Sequence, residues 1–203
     1  MSNKSFVSIN PEDLSKKEAY LLFISSIIPR PIALVSSIDE NQIVNVAPFS
    51  YFSGISSKPA LISITIARKP EDLKKDTLRN IEAQKEFCVN ICNVEMADGV
   101  EISATNFPPD ESEMNHNGFS LVSSEVIKPP GIAEAPLRLE CELFRNIDDL
   151  GSVNLIIGEV KRFIIDESVL GSSGRPDSKL LNPLCRLGGK NYSSLASIFT
   201  AVK

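Results

Sequence analysis

Six stretches of the chain place β-branched or aromatic residues at every second position: IALVSSI (32–38), QIVNV (42–46), LISITI (61–66), FCVNIC (87–92), LECELF (139–144) and VNLIIGEVKRFII (153–165). This period of two predicts strands with one buried face. Helical spacing is confined to PEDLSKKEAYLLF (11–23), DTLRNIEAQ (76–84) and YSSLASIF (192–199), and Pro11 suits the first turn of a helix. Strands outnumber helices and do not alternate with them, which argues against a doubly wound parallel sheet. The polar DEN turn (39–41) predicts an antiparallel hairpin between the first two strands. Six strands must cover their edges in a sandwich or a closed barrel, and a small barrel with peripheral helices is expected.

Residues 98 to 136 break the pattern. Pro108, Pro109, Pro129, Pro130 and Pro136 interrupt them, with Gly99, Gly118 and Gly131 between. So long a connection inside a compact domain predicts a functional loop or an interface segment. A second loop-rich stretch, 171–190, precedes the last predicted helix. A chain of 203 residues is expected to form one domain spanning 1–203.

Composition removes several function classes. A net charge of -5 argues against a general nucleic-acid surface, which depends on neutralising phosphates. The N-terminus lacks the apolar core of a secretory signal, and no stretch reaches the ~18 apolar residues of a membrane span. A cytoplasmic protein with no membrane segment is expected. Cys88, Cys92, Cys141 and Cys185 form no CxxC pair, and Cys88 and Cys92, on one face of a predicted strand, read as reduced, half-buried thiols. The Asn-x-Ser matches at Asn3 and Asn191 mean little without secretion. The single histidine, His116, has no Ser-His-Asp or metal-ligand pattern around it and reads as a solvated loop side chain, so no catalytic side chain and no metal are expected.

The distinctive chemistry is a cluster of cations between a predicted strand and a predicted helix: Arg68, Lys69, Lys74, Lys75 and Arg79, with Thr77 in the first helical turn. A helix N-terminus offers unpaired N–H groups and a dipole that favours an anion, so a phosphate fits there. Asp76 leaves a second reading open, in which its carboxylate caps the helix and the lysines are merely solvated. Neither GxxxxGK[ST] nor GxGxxG occurs, so a nucleotide P-loop and a dinucleotide fingerprint are unsupported. In NVAPFSYF (45–52), Pro48 removes a ladder donor beside a strand, freeing backbone groups for a flat heterocycle. Asn45 and Ser50 add hydrogen-bonding capacity, while Phe49, Tyr51 and Phe52 supply either cofactor walls or core.

PRPIALVSS (29–37), NVAPFSYF (45–52), KPALISITIARK (58–69), KDTLRNI (75–81) and FCVNIC (87–92) together resemble the flavin reductase-like family, whose members have the FMN-binding split-barrel fold. The likeness continues through SATNFPPDESEMNHNGF (103–119), PLRLECEL (136–143) and LIIGEV (155–160) to RLGGKNYSSL (186–195), nearly the whole chain. It implies a mainly β protein, a six-stranded antiparallel Greek-key split β-barrel with peripheral α-helices. It also implies a homodimer that holds FMN near the subunit interface. By position, Asn45, Ala47, Pro48, Phe49 and Ser50 would border the flavin ring, and Thr65, Ala67, Arg68, Lys75, Asp76 and Thr77 would line its ribityl phosphate end. The implied activity is NAD(P)H-dependent flavin reduction, with NADH or NADPH as co-substrate and an oxygenase or other redox protein as partner. The alternative is a flavoredoxin-type electron carrier without a nicotinamide site. A relative holding haem or another flavin is a weaker third. The turn with Arg186, Gly188, Gly189 and Tyr192 either reaches the partner subunit or simply closes the chain.

Overall fold

The structure, a computed structural model, describes residues 4–105 and 113–201. Asn3, Pro108, Pro109 and most of the acidic run at 110–113 lie outside the described residues. The main sheet has seven antiparallel strands: β1 (Ala33–Ile38), β2 (Val44–Phe49), β3 (Phe52–Ser57), β4 (Ala60–Ala67), β5 (Glu86–Ile91), β6 (Leu137–Leu150) and β7 (Val153–Ile165). Their order is β2-β1-β5-β6-β7-β4-β3. The fold is mainly β, as expected, with one strand more. FSGISS, the extra strand β3, escapes the sequence pattern because almost all of it is exposed and it has no apolar face to alternate.

The sheet closes through its own chain. β2 and β3 stand at opposite ends of the strand order, yet only Ser50 and Tyr51 separate them in sequence. Thr65 N–H on β4 donates to the Tyr51 carbonyl at 2.9 Å, which fastens this corner. The DEN hairpin is confirmed by pairing of Val35 with Ala47 and Leu34 with Pro48. β2 runs three residues beyond the predicted end at 46, so Pro48 lies within the strand rather than after it. It is tolerated there because β2 ends the strand order and has a ladder on one side only.

Two apolar clusters sit on opposite faces of β1. Helix α2 (Asp76–Gln84) plugs the barrel, placing Leu78 and Ile81 against Val35, Ile64, Phe87 and Ile156. The other face, with Ile32, Leu34 and Val46, packs against Met96, Val100 and Leu184 around the short helix α3 (Ala97–Ile102). β1 is therefore buried along its whole length.

The Pro-rich connection is partly anchored. Ile132 N–H donates to Asn90 Oδ1 at 2.8 Å, and the N–H groups of Glu125 and Val126 donate to the two carboxylate oxygens of Glu140, each at 2.8 Å. Glu140 is buried, so losing it would orphan two donors at a cost of about 1–3 kcal/mol.

Two helix expectations change. The N-terminal helix is a 3-10 turn, Pro11–Asp13, followed by α1 (Lys16–Ser26), which Ser15 and Glu18 begin with a reciprocal capping box. The helix expected at 192–199 is absent: Tyr192–Ser193 is a short strand paired with Cys185–Arg186, and residues 194 to 201 have no regular structure. Leu195, Ile198 and Phe199 are all exposed, so no core face repays helix formation there. Among the described residues, no helix is long and apolar enough to cross a membrane.

Candidate flavin site at the barrel seam

The predicted ring-bordering segment lies on the seam. β2 pairs with β1 on one side, and no strand is laddered to its other edge among the described residues. Part of that edge is already taken, since Val46 N–H donates to the Glu113 carboxylate and Pro48 carries no N–H. Asn45, Ala47 and Phe49 point to one face by strand alternation, toward the barrel interior where Ala47 and Phe49 pack. Asn45 Nδ2 donates to Thr77 Oγ1 at 2.8 Å, joining the seam to the first turn of α2. Thr65 and Ala67, opposite Leu155 and Val153 of β7, place the end of β4 next to the same loop.

The cations beyond β4 are not equivalent. Arg68 Nε donates to Asn154 Oδ1, Nη1 to both Asp72 oxygens, each at 2.9 Å, and Nη2 to the Asp148 carbonyl. Its guanidinium ties the loop together rather than standing free. Lys74 pairs with Glu82 at 2.7 Å, while Lys69 and Arg79 both contact the Asp76 carboxylate. Burial alone would raise the Asp76 pKa, but Lys69 and Arg79 hold it below the ordinary value. Asp76 is thus not the helix cap. The N-cap is Lys75, whose side chain makes no capping hydrogen bond, and the Asp76 carboxylate bonds within its own residue to its backbone N–H.

Lys75 is the exception among these cations. It has no carboxylate partner among the described residues, and its Nζ lies 5.8 Å from the centre of the Phe49 ring. Burial, with the Lys69 charge adding to it, pushes the Lys75 pKa below the ordinary lysine value. A half-buried cation without a counter-charge among the described residues, at the N-terminus of α2, is an arrangement that an anion completes. A phosphate dianion fits these residues.

Beyond Phe49, a cavity of about 130 Å³ is lined by Pro48, Phe49, Ser50, Ile32, Val100, Ala104, Arg186 and Tyr192. Tyr192 Oη and Arg186 Nη1 both donate to Glu101 Oε2, at 2.6 and 3.0 Å, and the Arg186 guanidinium stacks 4.3 Å from the Tyr192 ring centre. These two donors hold the Glu101 carboxyl below its usual range, while burial, with Glu101 next, pushes the Tyr192 phenol up. The buried Arg30 steadies the bend: Nε donates to Ser50 Oγ at 3.2 Å, while Nη1 and Nη2 donate to the carbonyls of Ile24, Ile27 and Leu187.

The structure therefore brings together Asn45, Ala47, Phe49, Lys75, Asp76 and Thr77 at the plugged end of the barrel. Pro48 and Ser50 face the cavity instead. Sequence reasoning missed Arg30, although it stands in the quoted PRPIALVSS, because a lone arginine before a strand has no pattern to mark it. Glu113 was also missed: burial raises its carboxyl pKa, Val46 N–H opposes that, and the Asp76 charge adds to it. The four cysteines are unpaired and buried, and burial pushes the Cys88 and Cys92 thiols up to about 12, far from redox use. No cluster of three or more potential metal-binding His, Cys, Asp or Glu side chains occurs among the described residues.

The chain matches the flavin reductase like domain over residues 25–184. The uncharacterised protein YwrF of Bacillus subtilis (strain 168) is 37% identical over 198 residues, covering 95% of this chain and 96% of YwrF. Among solved structures, nitrilotriacetate monooxygenase component B from Bacillus cereus superposes with a TM-score of 0.92 at 37% identity, covering 98% of this chain and 100% of that one. The 2-nitrobenzoate 2-nitroreductase NbaA of Pseudomonas fluorescens gives 0.88 at 31% identity, covering 97% and 96%. The seam, the helix that plugs the barrel and these matches lead to one conclusion: the chain belongs to the flavin reductase-like family.

Proposed function

We propose that this flavin-related oxidoreductase binds FMN at the barrel seam and is an NAD(P)H-dependent flavin reductase. One observation carries the choice of FMN: Lys75 is half-buried, without a counter-charge among the described residues and at the N-terminus of α2, which a phosphate ester satisfies and a bare ribityl chain does not. Lys75 and the first N–H groups of α2 hold the phosphate, with Thr77 positioned by Asn45 and with Lys69 able to turn from Asp76 toward it. Thr65 and Ala67 border the ribityl chain from β4. The segment from Ala47 to Ser50 borders the ring, and Phe49 closes it off from the core.

When bound, FMN supplies two-electron chemistry, accepting hydride at its N5. The chain contributes orientation and the exclusion of water, and needs no nucleophile of its own. The B. cereus relative is by name one component of a monooxygenase, which supports an oxygenase as the recipient of reduced flavin. The unpaired cysteines fit a reducing cytoplasm.

A homodimer is part of this reading. Tyr20, Leu21, Leu22 and Phe23 are 43–58% exposed on α1, and Ile27 and Ile28 continue the patch. A helix apolar on nearly every side is stable in water only when something covers it.

Anaerobic addition of NADH or NADPH to the FMN-loaded protein tests the reductase: bleaching of the flavin absorbance within seconds is expected. Bleaching only by dithionite or a protein donor would instead make it a flavoredoxin-type carrier. Failure to take up FMN at all would remove both readings.

A further inference from the structure

A second cavity, of about 320 Å³, opens beside the start of α3, where Asn93, Glu95, Met96 and Asp98 meet Phe119 and Glu134. It shares no lining residue with the seam or with the cavity beyond Phe49, so what it holds is independent of the flavin. Its size falls at the lower end of the range for small-ligand pockets.

The charge of this cavity is one-sided. Glu95, Asp98 and Glu134 bring carboxylates to it, and no lysine or arginine lines it. Among the described residues none of the three carboxylates is in an ion pair. Glu134 is nevertheless held in place, since Ser120 N–H donates to both its oxygens, each at 3.0 Å. Met96 and Phe119 give the same cavity an apolar side, and both belong to the packing around α3.

Asn93 supplies an independent sign of a missing partner. It is the N-cap of the short turn Val94–Met96, yet its side chain makes no capping hydrogen bond. Its Oδ1 is buried and accepts no hydrogen bond among the described residues. A buried acceptor left unmet is costly, and such an atom calls for a donor from outside the chain. The terminal torsion of an asparagine is broad, so a modest turn of the amide presents this oxygen to the cavity. A positively charged N–H donor answers both the orphan oxygen and the surplus of carboxylates. A compact metal ion fits less well, because no three His, Cys, Asp or Glu side chains among the described residues are grouped closely enough to hold one. An elongated organic cation spreads its charge among separate carboxylates, lays its carbon stem on Met96, and sets an ammonium near the Phe119 ring, which attracts it.

We propose that this cavity is a binding site for a small aliphatic amine protonated at both ends, with Asn93 Oδ1 and the carboxylates of Glu95, Asp98 and Glu134 receiving its ammonium groups and Met96 and Phe119 its carbon chain.

Isothermal titration of the full chain at low salt, with butane-1,4-diamine as the probe, tests the site. Saturable one-to-one binding is expected, and none for butane-1,4-diol, which has the same length and no charge. Asp98→Asn combined with Glu134→Gln should weaken the diamine roughly three- to tenfold, the amount that two exposed ion pairs supply. Both positions are exposed, so the fold tolerates these changes. Asn93→Leu removes the orphan acceptor at nearly constant size. It should weaken the diamine as well, while the ligand-free thermal midpoint falls no lower, because no hydrogen bond of that oxygen is lost. Thermal midpoints of each variant show separately that it folds, and the Asp98 and Glu134 variant decides the matter should Asn93→Leu prove unstable. No saturable binding of the diamine, equal binding of the diol, or displacement of the diamine by magnesium at similar concentration overturns the proposal. So does undiminished diamine affinity in a folded variant.

Discussion

Asn45 Nδ2 donates to Thr77 Oγ1 across 2.8 Å, so the strand proposed to border the ring and the helix proposed to hold the phosphate are fixed to one another before any ligand arrives. Thr77 is only 1% exposed, and its hydroxyl therefore has a structural partner as well as a prospective ligand. Thr77→Val preserves the shape but leaves the Asn45 amide without its acceptor. The expected loss is about 1–3 kcal/mol of stability in urea unfolding without ligand, together with weaker FMN binding. Unchanged stability would mean that the hydroxyl serves the ligand alone.

Lys75→Met should separate phosphate from ring. A charge-assisted hydrogen bond contributes about 1.5–3 kcal/mol, so FMN affinity is expected to fall roughly 10- to 100-fold. Riboflavin, which has no phosphate, should bind as before. Fluorescence titration of both ligands measures the difference, and equal losses would move the phosphate elsewhere.

The same lysine gives the ligand-free protein a pH signature. Burial lowers its pKa in the folded state, so the unfolded chain binds more protons between that lowered value and the ordinary lysine value of about 10.4. Stability from this group therefore rises with pH through that window. Lys75→Met should abolish the rise and leave the ligand-free protein more stable than its parent at pH 7, as read by thermal midpoints at a series of pH values.

Arg68 is expected to act on the site through the loop it ties. Its fork reaches Asp72, Asn154 and the Asp148 carbonyl at once, which a lysine cannot reproduce. Arg68→Lys should weaken FMN binding nearly as much as Arg68→Ala, with both lowering the ligand-free thermal midpoint. If Arg68→Lys restored full FMN affinity, charge rather than loop geometry would be its contribution.

Phe23→Asp places a charge in the exposed face of α1, where Phe23 is 58% exposed. Sedimentation at low concentration should show dimers for the parent protein and monomers for the variant, with FMN affinity reduced if the site lies near the interface. Identical sedimentation of the two proteins would remove α1 from any dimer contact.

The sequence by itself determined six of the seven main-sheet strands and where charge gathers, because period-two alternation and a cation-rich turn are local properties. α2 was predicted over 76–84 and is observed as Asp76–Gln84, since its buried face, Leu78 and Ile81, recurs at helical spacing. The S-x-x-E capping box at Ser15 is equally local, and it rather than Pro11 begins α1. Only the tertiary structure decided the rest. β3 exists because β4 offers it a ladder, not because FSGISS favours a strand. Residues 192 and 193 are extended because Tyr192 is held by Glu101 and Arg186, which stand 91 and 6 positions away in the chain, a competition that no local propensity records. The five cations looked alike in sequence, and the fold alone gave carboxylate or carbonyl partners to four of them and none to Lys75 among the described residues. Such pairing depends on which carboxylates the barrel brings within reach, and distance in space is not written in the order of residues.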